Sequence, residues 1–142
     1  MEQKMRTGST GFSLIELLVV LVIMGMLAGL VGPRLFNKVD SSKVKTAQTQ
    51  VKMLKAALQS FRLDVGRYPS SEEGLKVLVY KLDSIKSWDG PYLEDELPQD
   101  PWNTPYVYDF GSDNLQGFAL YSYGADNKEG GEGLDADVGY LP

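Results

Sequence analysis

The chain has 142 residues, 43% of them hydrophobic, with 14 basic and 19 acidic side chains, no histidine and no cysteine. That length suits one modest domain with an appendage. The missing residue types exclude disulfides, thiol nucleophiles, Ser-His-Asp triads and the usual zinc and transition-metal sites, so an enzyme would have to work with carboxylates, lysines or hydroxyls alone. The net charge of -5 hides an uneven layout: residues 34–67 carry eight Lys/Arg against Asp40 and Asp64, about +6, while residues 68–142 carry four Lys against fifteen Asp/Glu, about -11. A basic stretch beside an acidic body suits nucleic acid, anionic lipid, or identical subunits packed helix against body. Nucleic acid is disfavoured, because no aromatics interleave with the lysines and the acidic body repels phosphate.

The first element is the apolar run Phe12 to Gly32, whose one ionisable side chain is Glu16. At a rise of about 1.5 Å per residue it spans a roughly 30 Å hydrocarbon core, which predicts a transmembrane helix. A core helix of a soluble protein would show a polar face, and Leu17 to Val31 has none. A secretory signal would place small residues after the apolar run; here Gly8, Ser9, Thr10 and Gly11 precede it, so a peptidase could remove residues 1–11 and leave the helix. Lys4 and Arg6 fit a cytoplasmic leader, although Arg34, Lys38, Lys43 and Lys45 on the far side leave the positive-inside count ambiguous.

From about Val39 to Val65 the sequence continues as an amphipathic helix, since Val44, Ala47, Val51, Leu54, Leu58, Phe61 and Val65 are spaced by three and four. The stripe is about three heptads long, and a cover for a small sheet fits it better than a coiled coil. Pro33, between the two halves, predicts a kink or local unwinding, because it lacks an N–H and its ring collides with the Gly29 carbonyl. Gly25-x-x-x-Gly29 offers a flat face for close helix packing.

Beyond Gly66, turn chemistry takes over. A short helix is expected from Leu75 to Leu82, capped from the Ser70/Ser71 side with Glu73 in reach. Trp88 to Leu93 and Leu97 to Trp102 read as loops pinned by aromatics. Pro105 to Phe110 and Phe118 to Tyr123 alternate in period two around a turn of four or more residues, a β-hairpin. The expected class is α+β: a long N-terminal helix packed on a small antiparallel sheet. The expected divisions are a leader (1–11), a transmembrane helix (12–32), an amphipathic stem (33–66) and a globular region (67–142).

Chemistry could sit in two places. Glu16 lies where a central charge costs on the order of 3 kcal/mol; cleavage after Gly11 would put a new α-amine on Phe12 one helical turn away, able to pair with this carboxylate in its own chain or a neighbour's. Alternatively Glu16 simply reaches the headgroups. The second place is the tail from Gly124 to Gly139, where Asp126, Glu129, Glu132, Asp135 and Asp137 cluster among glycines. Oxygen ligands on such a loop suit Ca²⁺. There is no EF-hand pattern, the match of Gly130 to Asp135 to the calcium nonapeptide is a single copy, and a solvated acidic loop is the alternative.

The segment Gly11-Phe12-Ser13-Leu14-Ile15-Glu16-Leu17-Leu18 resembles the leader junction of the type IV pilin-like family. Tyr68-Pro69 with Glu72, Gly74 and Leu75, Trp88-x-Gly90-Pro91-Tyr92-Leu93, and Asp100-Pro101-Trp102-x-x-Pro105-Tyr106 extend the resemblance, over essentially the whole chain, to the major pseudopilins of bacterial type II secretion systems. Asn103, where the family often has Gly, and a longer tail loop are departures. The resemblance implies a structural, non-catalytic subunit of a helical filament, supporting export of folded proteins across the outer membrane. It implies cleavage between Gly11 and Phe12 by a prepilin peptidase and methylation of the new amine. A single-pass inner-membrane anchor would leave the C-terminal domain in the periplasm, with an inner-membrane assembly platform and minor pseudopilins as partners and no nucleic acid. Glu16 would attract the Phe12 amine of an adjacent subunit, and Pro33 would mark where the helix bends on leaving lipid. It further implies one Ca²⁺, with side chains of Asp126, Asp137 and Asp135 and the carbonyl of Tyr123 as ligands. The alternatives are the major subunit of an extended type IV pilus, whose usual C-terminal disulfide loop this chain cannot form, and a monomeric membrane-tethered Ca²⁺-binding module.

Overall fold

The computed structural model describes Gly8 and residues 10–142. Its elements are helix α1 (Leu14–Val65), a 3-10 turn (Leu75–Leu78), strands β1 (Val107–Phe110) and β2 (Phe118–Ser122), a second 3-10 turn (Gly133–Asp135) and strand β3 (Val138–Tyr140). The chain divides into two compact units, residues 1–38 and 39–142.

In the first unit, α1 opens on a reciprocal cap: the Ser13 N–H donates to Glu16 Oε2 (3.0 Å), and the Glu16 N–H donates to Ser13 Oγ (3.3 Å). Together they satisfy two of the N–H groups that every helix start leaves without an internal partner. The following residues contain an 18-residue window of mean hydropathy 2.8, none of it buried, so the helix is long and apolar enough to cross a bilayer. The local unwinding expected at Pro33 is not seen, and helical structure carries through it. The ring removes one backbone hydrogen bond, while regular turns on both sides keep theirs.

In the second unit, α1 becomes one-sided. Ala47, Val51, Leu54, Ala57, Leu58 and Phe61 are buried, Val44 and Val65 partly so, matching the expected stripe with Ala57 added. The stripe meets Leu75, Val77, Leu78, Ile85, Leu93, Tyr106, Phe118 and Leu120 in one core. Two cations off the stripe lie over aromatic rings: Lys55 Nζ is 4.7 Å from the Tyr140 centroid and the Arg62 guanidinium carbon 5.0 Å from that of Tyr68. The helix closes at Gly66, whose N–H reaches the Arg62 carbonyl (2.8 Å).

The expected helix from Leu75 to Leu82 is only a 3-10 turn, Leu75–Leu78. A longer helix would need the Val77 and Leu78 carbonyls for the amides of Lys81 and Leu82. Those carbonyls are taken instead by Trp88 Nε1 and by the Tyr92 N–H, both at 2.7 Å. The Trp88–Tyr92 loop is thus fastened to the turn, with the Tyr92 ring edge-on to Phe61 at 5.6 Å.

The sheet has the order β1-β2-β3, antiparallel throughout. Val107 pairs with Tyr121 and Phe110 with Phe118, and Leu120 pairs with Tyr140 and Ser122 with Val138. The hairpin expected around residues 111–117 is present, and β2 as the middle strand is buried at all five positions. β3 was not expected, since it falls within the glycine-rich tail. Gly139 (φ 137°) is required there, because a Cβ would collide with the Leu120 carbonyl oxygen. The buried polar pair Asp100 and Ser122 is fully engaged: Ser122 Oγ donates to Asp100 Oδ2, while Asp100 Oδ1 accepts from the N–H groups of Trp102 (3.0 Å) and Thr104 (2.8 Å).

A second reciprocal cap holds the turn before Leu75. Glu73 accepts from the Ser70 N–H (2.8 Å) and, through both oxygens, from Arg67 (2.7 and 2.8 Å), while its own N–H donates to Ser70 Oγ (3.2 Å). The Arg67 guanidinium first, and the Ser70 N–H with it, hold the Glu73 carboxyl down to about 2, from an ordinary 4.5. A folded-state value below the unfolded one contributes stability that is present above pH 4.5 and is lost as pH falls through about 2. The melting temperature of Glu73→Gln should therefore lie below wild type at neutral pH and converge with it on acidification; a constant offset would refute the linkage.

Candidate functional site

The expected leader of residues 1–11 falls largely outside the described residues, which include only Gly8, Thr10 and Gly11 of it. Gly11 is exposed and non-helical, and Phe12 beside it is 84% exposed, so a protease could reach this bond from solvent or the membrane surface. Glu16 lies in the first turn of α1, surrounded in the 8–38 segment by exposed apolar side chains such as Ile15, Leu17, Val19 and Val20. Its carboxylate accepts from the Ser13 N–H within its own chain. Sequence reasoning missed this partner, although its signal, Ser followed three residues later by Glu ahead of an apolar run, was present. One carboxylate oxygen therefore has a fixed local donor, while the charge has no cationic partner among the described residues. Pro33 is exposed within the helix.

The tail folds back on itself between β2 and β3. The Ala125 N–H donates to the Leu134 carbonyl (3.0 Å), and the Gly130 N–H donates to Asp137 Oδ2 (3.0 Å). Gly124 (φ 72°) sits so close to the returning segment before β3 that a Cβ would lie 2.7 Å from the Ala136 carbonyl oxygen. Asp137 Oδ1 is buried with no hydrogen-bond partner, an anionic oxygen without compensation. Asp126 and Asp135 are exposed, and Asp126 Oδ1 accepts from the Lys128 N–H (3.1 Å). Tyr123 is half-buried, its ring edge-on to Tyr121 at 5.3 Å, and the neighbouring Tyr123 phenol, more than burial, pushes the Tyr121 phenol up to about 12. No three acidic side chains converge to hold a metal among the described residues. The chemistry of the donor types nonetheless suits a hard cation: a buried carboxylate oxygen lacking a donor, on the same loop as the exposed carboxylates of Asp126 and Asp135.

Comparison with known proteins decides the family. The type II secretion system protein G family matches residues 34–141, and a prokaryotic N-terminal methylation motif matches residues 6–32, which include Gly11, Phe12 and Glu16. The chain belongs to the protein G family of type II secretion systems. It is 43% identical over 137 residues to the type II secretion system core protein G of Pseudomonas aeruginosa, covering 94% of this chain and 96% of that one. It is 38% identical over 140 residues to the corresponding protein of Vibrio cholerae, covering 96% and 94%. The crystal structure of the major pseudopilin from the type 2 secretion system of enterohaemorrhagic Escherichia coli superposes with a TM-score of 0.60 at 26% identity, over 75% of this chain and 92% of that chain. The pseudopilin fold of a long N-terminal helix on a small antiparallel sheet is thus the fold of this chain.

The reciprocal cap is testable directly. Ser13→Ala should cost about 1 kcal/mol at the helix start, read as roughly fivefold faster amide exchange at Glu16 in micelles. Unchanged exchange would mean that Ser13 does not hold the first turn.

Proposed function

We propose that this pseudopilin is a structural subunit that self-assembles into the periplasmic pseudopilus supporting export of folded proteins across the outer membrane. The observation that carries this reading is Glu16, the one ionisable side chain between Phe12 and Gly32, set one turn after a Gly-Phe junction inside a methylation motif. A prepilin peptidase removes residues 1–11 and methylates the Phe12 amine. The apolar helix then holds the subunit in the inner membrane with residues 39–142 in the periplasm, until an assembly platform extracts it. Glu16 supplies the pairing energy, because in a low-dielectric surrounding its carboxylate attracts the cationic Phe12 amine of an adjacent copy. Pro33, which removes one helical hydrogen bond, lowers the resistance of α1 to bending on leaving lipid. The role is structural rather than catalytic, and minor pseudopilins would join the same filament.

Glu16→Ala should leave leader removal intact, read as an unchanged gel shift, while abolishing filaments. Filaments at wild-type yield would refute the pairing role.

In this reading the tail holds one Ca²⁺. Asp137 would supply its buried oxygen, Asp126 and Asp135 would swing in, and the Tyr123 carbonyl would complete the oxygen set. The ion, when bound, neutralises the loop's acids and ties β2 to β3. Chelation should lower the melting temperature of wild type by several degrees but leave Asp137→Ala unmoved, since only the folded site binds. Equal responses of the two proteins, or none from wild type, would reduce the tail to a solvated loop.

A further inference from the structure

Within the 39–142 unit, a cleft of about 530 Å³ runs between α1 residues 50–60 and the loop 92–98. Its floor is apolar, formed by Met53, Ala57, Leu93 and Pro98, and Met53 is left 45% exposed. One wall carries three consecutive acids, Glu94, Asp95 and Glu96, and no basic side chain lines it. Tyr80 donates to both Glu96 oxygens (2.9 and 2.8 Å), whereas Glu94 and Asp95 are exposed and form no ion pair among the described residues. Two other clefts of this unit differ: one beside the tail includes Lys52, and one beside Glu73 includes Lys76.

The complement of this groove is on the same chain. Residues 34–45 of α1 carry Arg34, Lys38, Lys43 and Lys45 against Asp40. Leu35 and Val39, one turn apart, are 60% and 49% exposed, and Arg34, Lys38 and Lys45 fall along one flank of that apolar pair at helical spacing. We propose that the groove receives the 34–45 stretch of a second copy, with Leu35 and Val39 on its apolar floor and the basic flank against Glu94 and Asp95. The occupant has to come from another copy, because residues 34–45 and 50–60 belong to one continuous helix and cannot fold onto each other. Nucleic acid and anionic lipid are repelled by the same acids that attract this stretch. The contact rests on the filament reading above and names the surfaces through which the part of the subunit outside the membrane would join it.

The test uses the full-length chain, with filament yield measured by sedimentation and folding followed separately by thermal melting. Glu94→Lys with Asp95→Lys, and independently Lys38→Glu with Lys45→Glu, should each lower the yield about fivefold or more, and a chain carrying all four should regain at least about half of the wild-type yield. Wild-type chains that form no filaments would overturn the filament reading and this contact with it. Normal yield from either charge-reversed pair, or no recovery in the four-substitution chain while wild type assembles, would overturn the contact alone.

Discussion

A carboxylate in hydrocarbon needs a partner, and the function proposed for this chain turns on how Glu16 would find one. Alone in the bilayer, its charge costs on the order of 3 kcal/mol, less what it recovers by lying near the helix end. The structure shows the first instalment of that recovery, a hydrogen bond from the Ser13 N–H that also starts the helix. A backbone N–H offers a dipole where the carboxylate calls for a cation. In the proposed assembly the remaining deficit would make the amine of another copy attractive, and the requirement would be mutual, since a free amine in lipid faces the same penalty. Among the described residues the helix start is thus satisfied while the Glu16 carboxylate has no cation beside it.

One helix meets two solvents by changing its pattern along its length. From Leu17 to Val31 the side chains are apolar on every side and exposed, as lipid allows. From Ala47 onward the apolar residues Ala47, Val51, Leu54, Ala57, Leu58 and Phe61 gather on one buried face, while Met53 and Leu63 stay exposed. The small body held there has a three-stranded sheet, so its loops need their own fastenings. They have them in the Arg67–Glu73–Ser70 cluster, in the Trp88 and Tyr92 hydrogen bonds to the 3-10 turn, and in the buried Asp100–Ser122 pair. The first ties a turn at the surface, and the other two satisfy polar groups that are partly or fully buried.

Where the chain's periodicity was strong, the fold was legible. The three-and-four spacing from Val44 to Val65 located the buried face of α1, and the alternation on either side of residues 111–117 located the hairpin. The misses have physical causes. Leu75 to Leu82 looks helical locally, but two carbonyls that such a helix needs are claimed by residues ten or more positions away, which no local window can register. In β3, Gly139 occupies the position where a strand would show a side chain, because the neighbouring strand leaves no room. Pro33 obeys its own chemistry without breaking the helix. At the leader junction, the small residues ahead of the apolar run and the lone acid within it drew attention to Gly11, Phe12 and Glu16, and the family resemblance supplied their expected roles, yet Ser13 passed unnoticed because its hydroxyl was not weighed as a cap. In the tail, the acidic residues drew attention to the loop, but only the fold distinguishes Asp137, with its buried and unpartnered oxygen, from the exposed Asp126 and Asp135.

The central claim concerns two atoms in two different copies. Filaments assembled from a mixture of chains, half labelled with nitrogen-15 at the Phe12 amine and half with carbon-13 at the Glu16 carboxyl, would report their separation by solid-state dipolar recoupling. The account predicts a direct contact within ion-pairing distance, visible only because the labels reside on different chains. Fully assembled filaments with no such contact would contradict it.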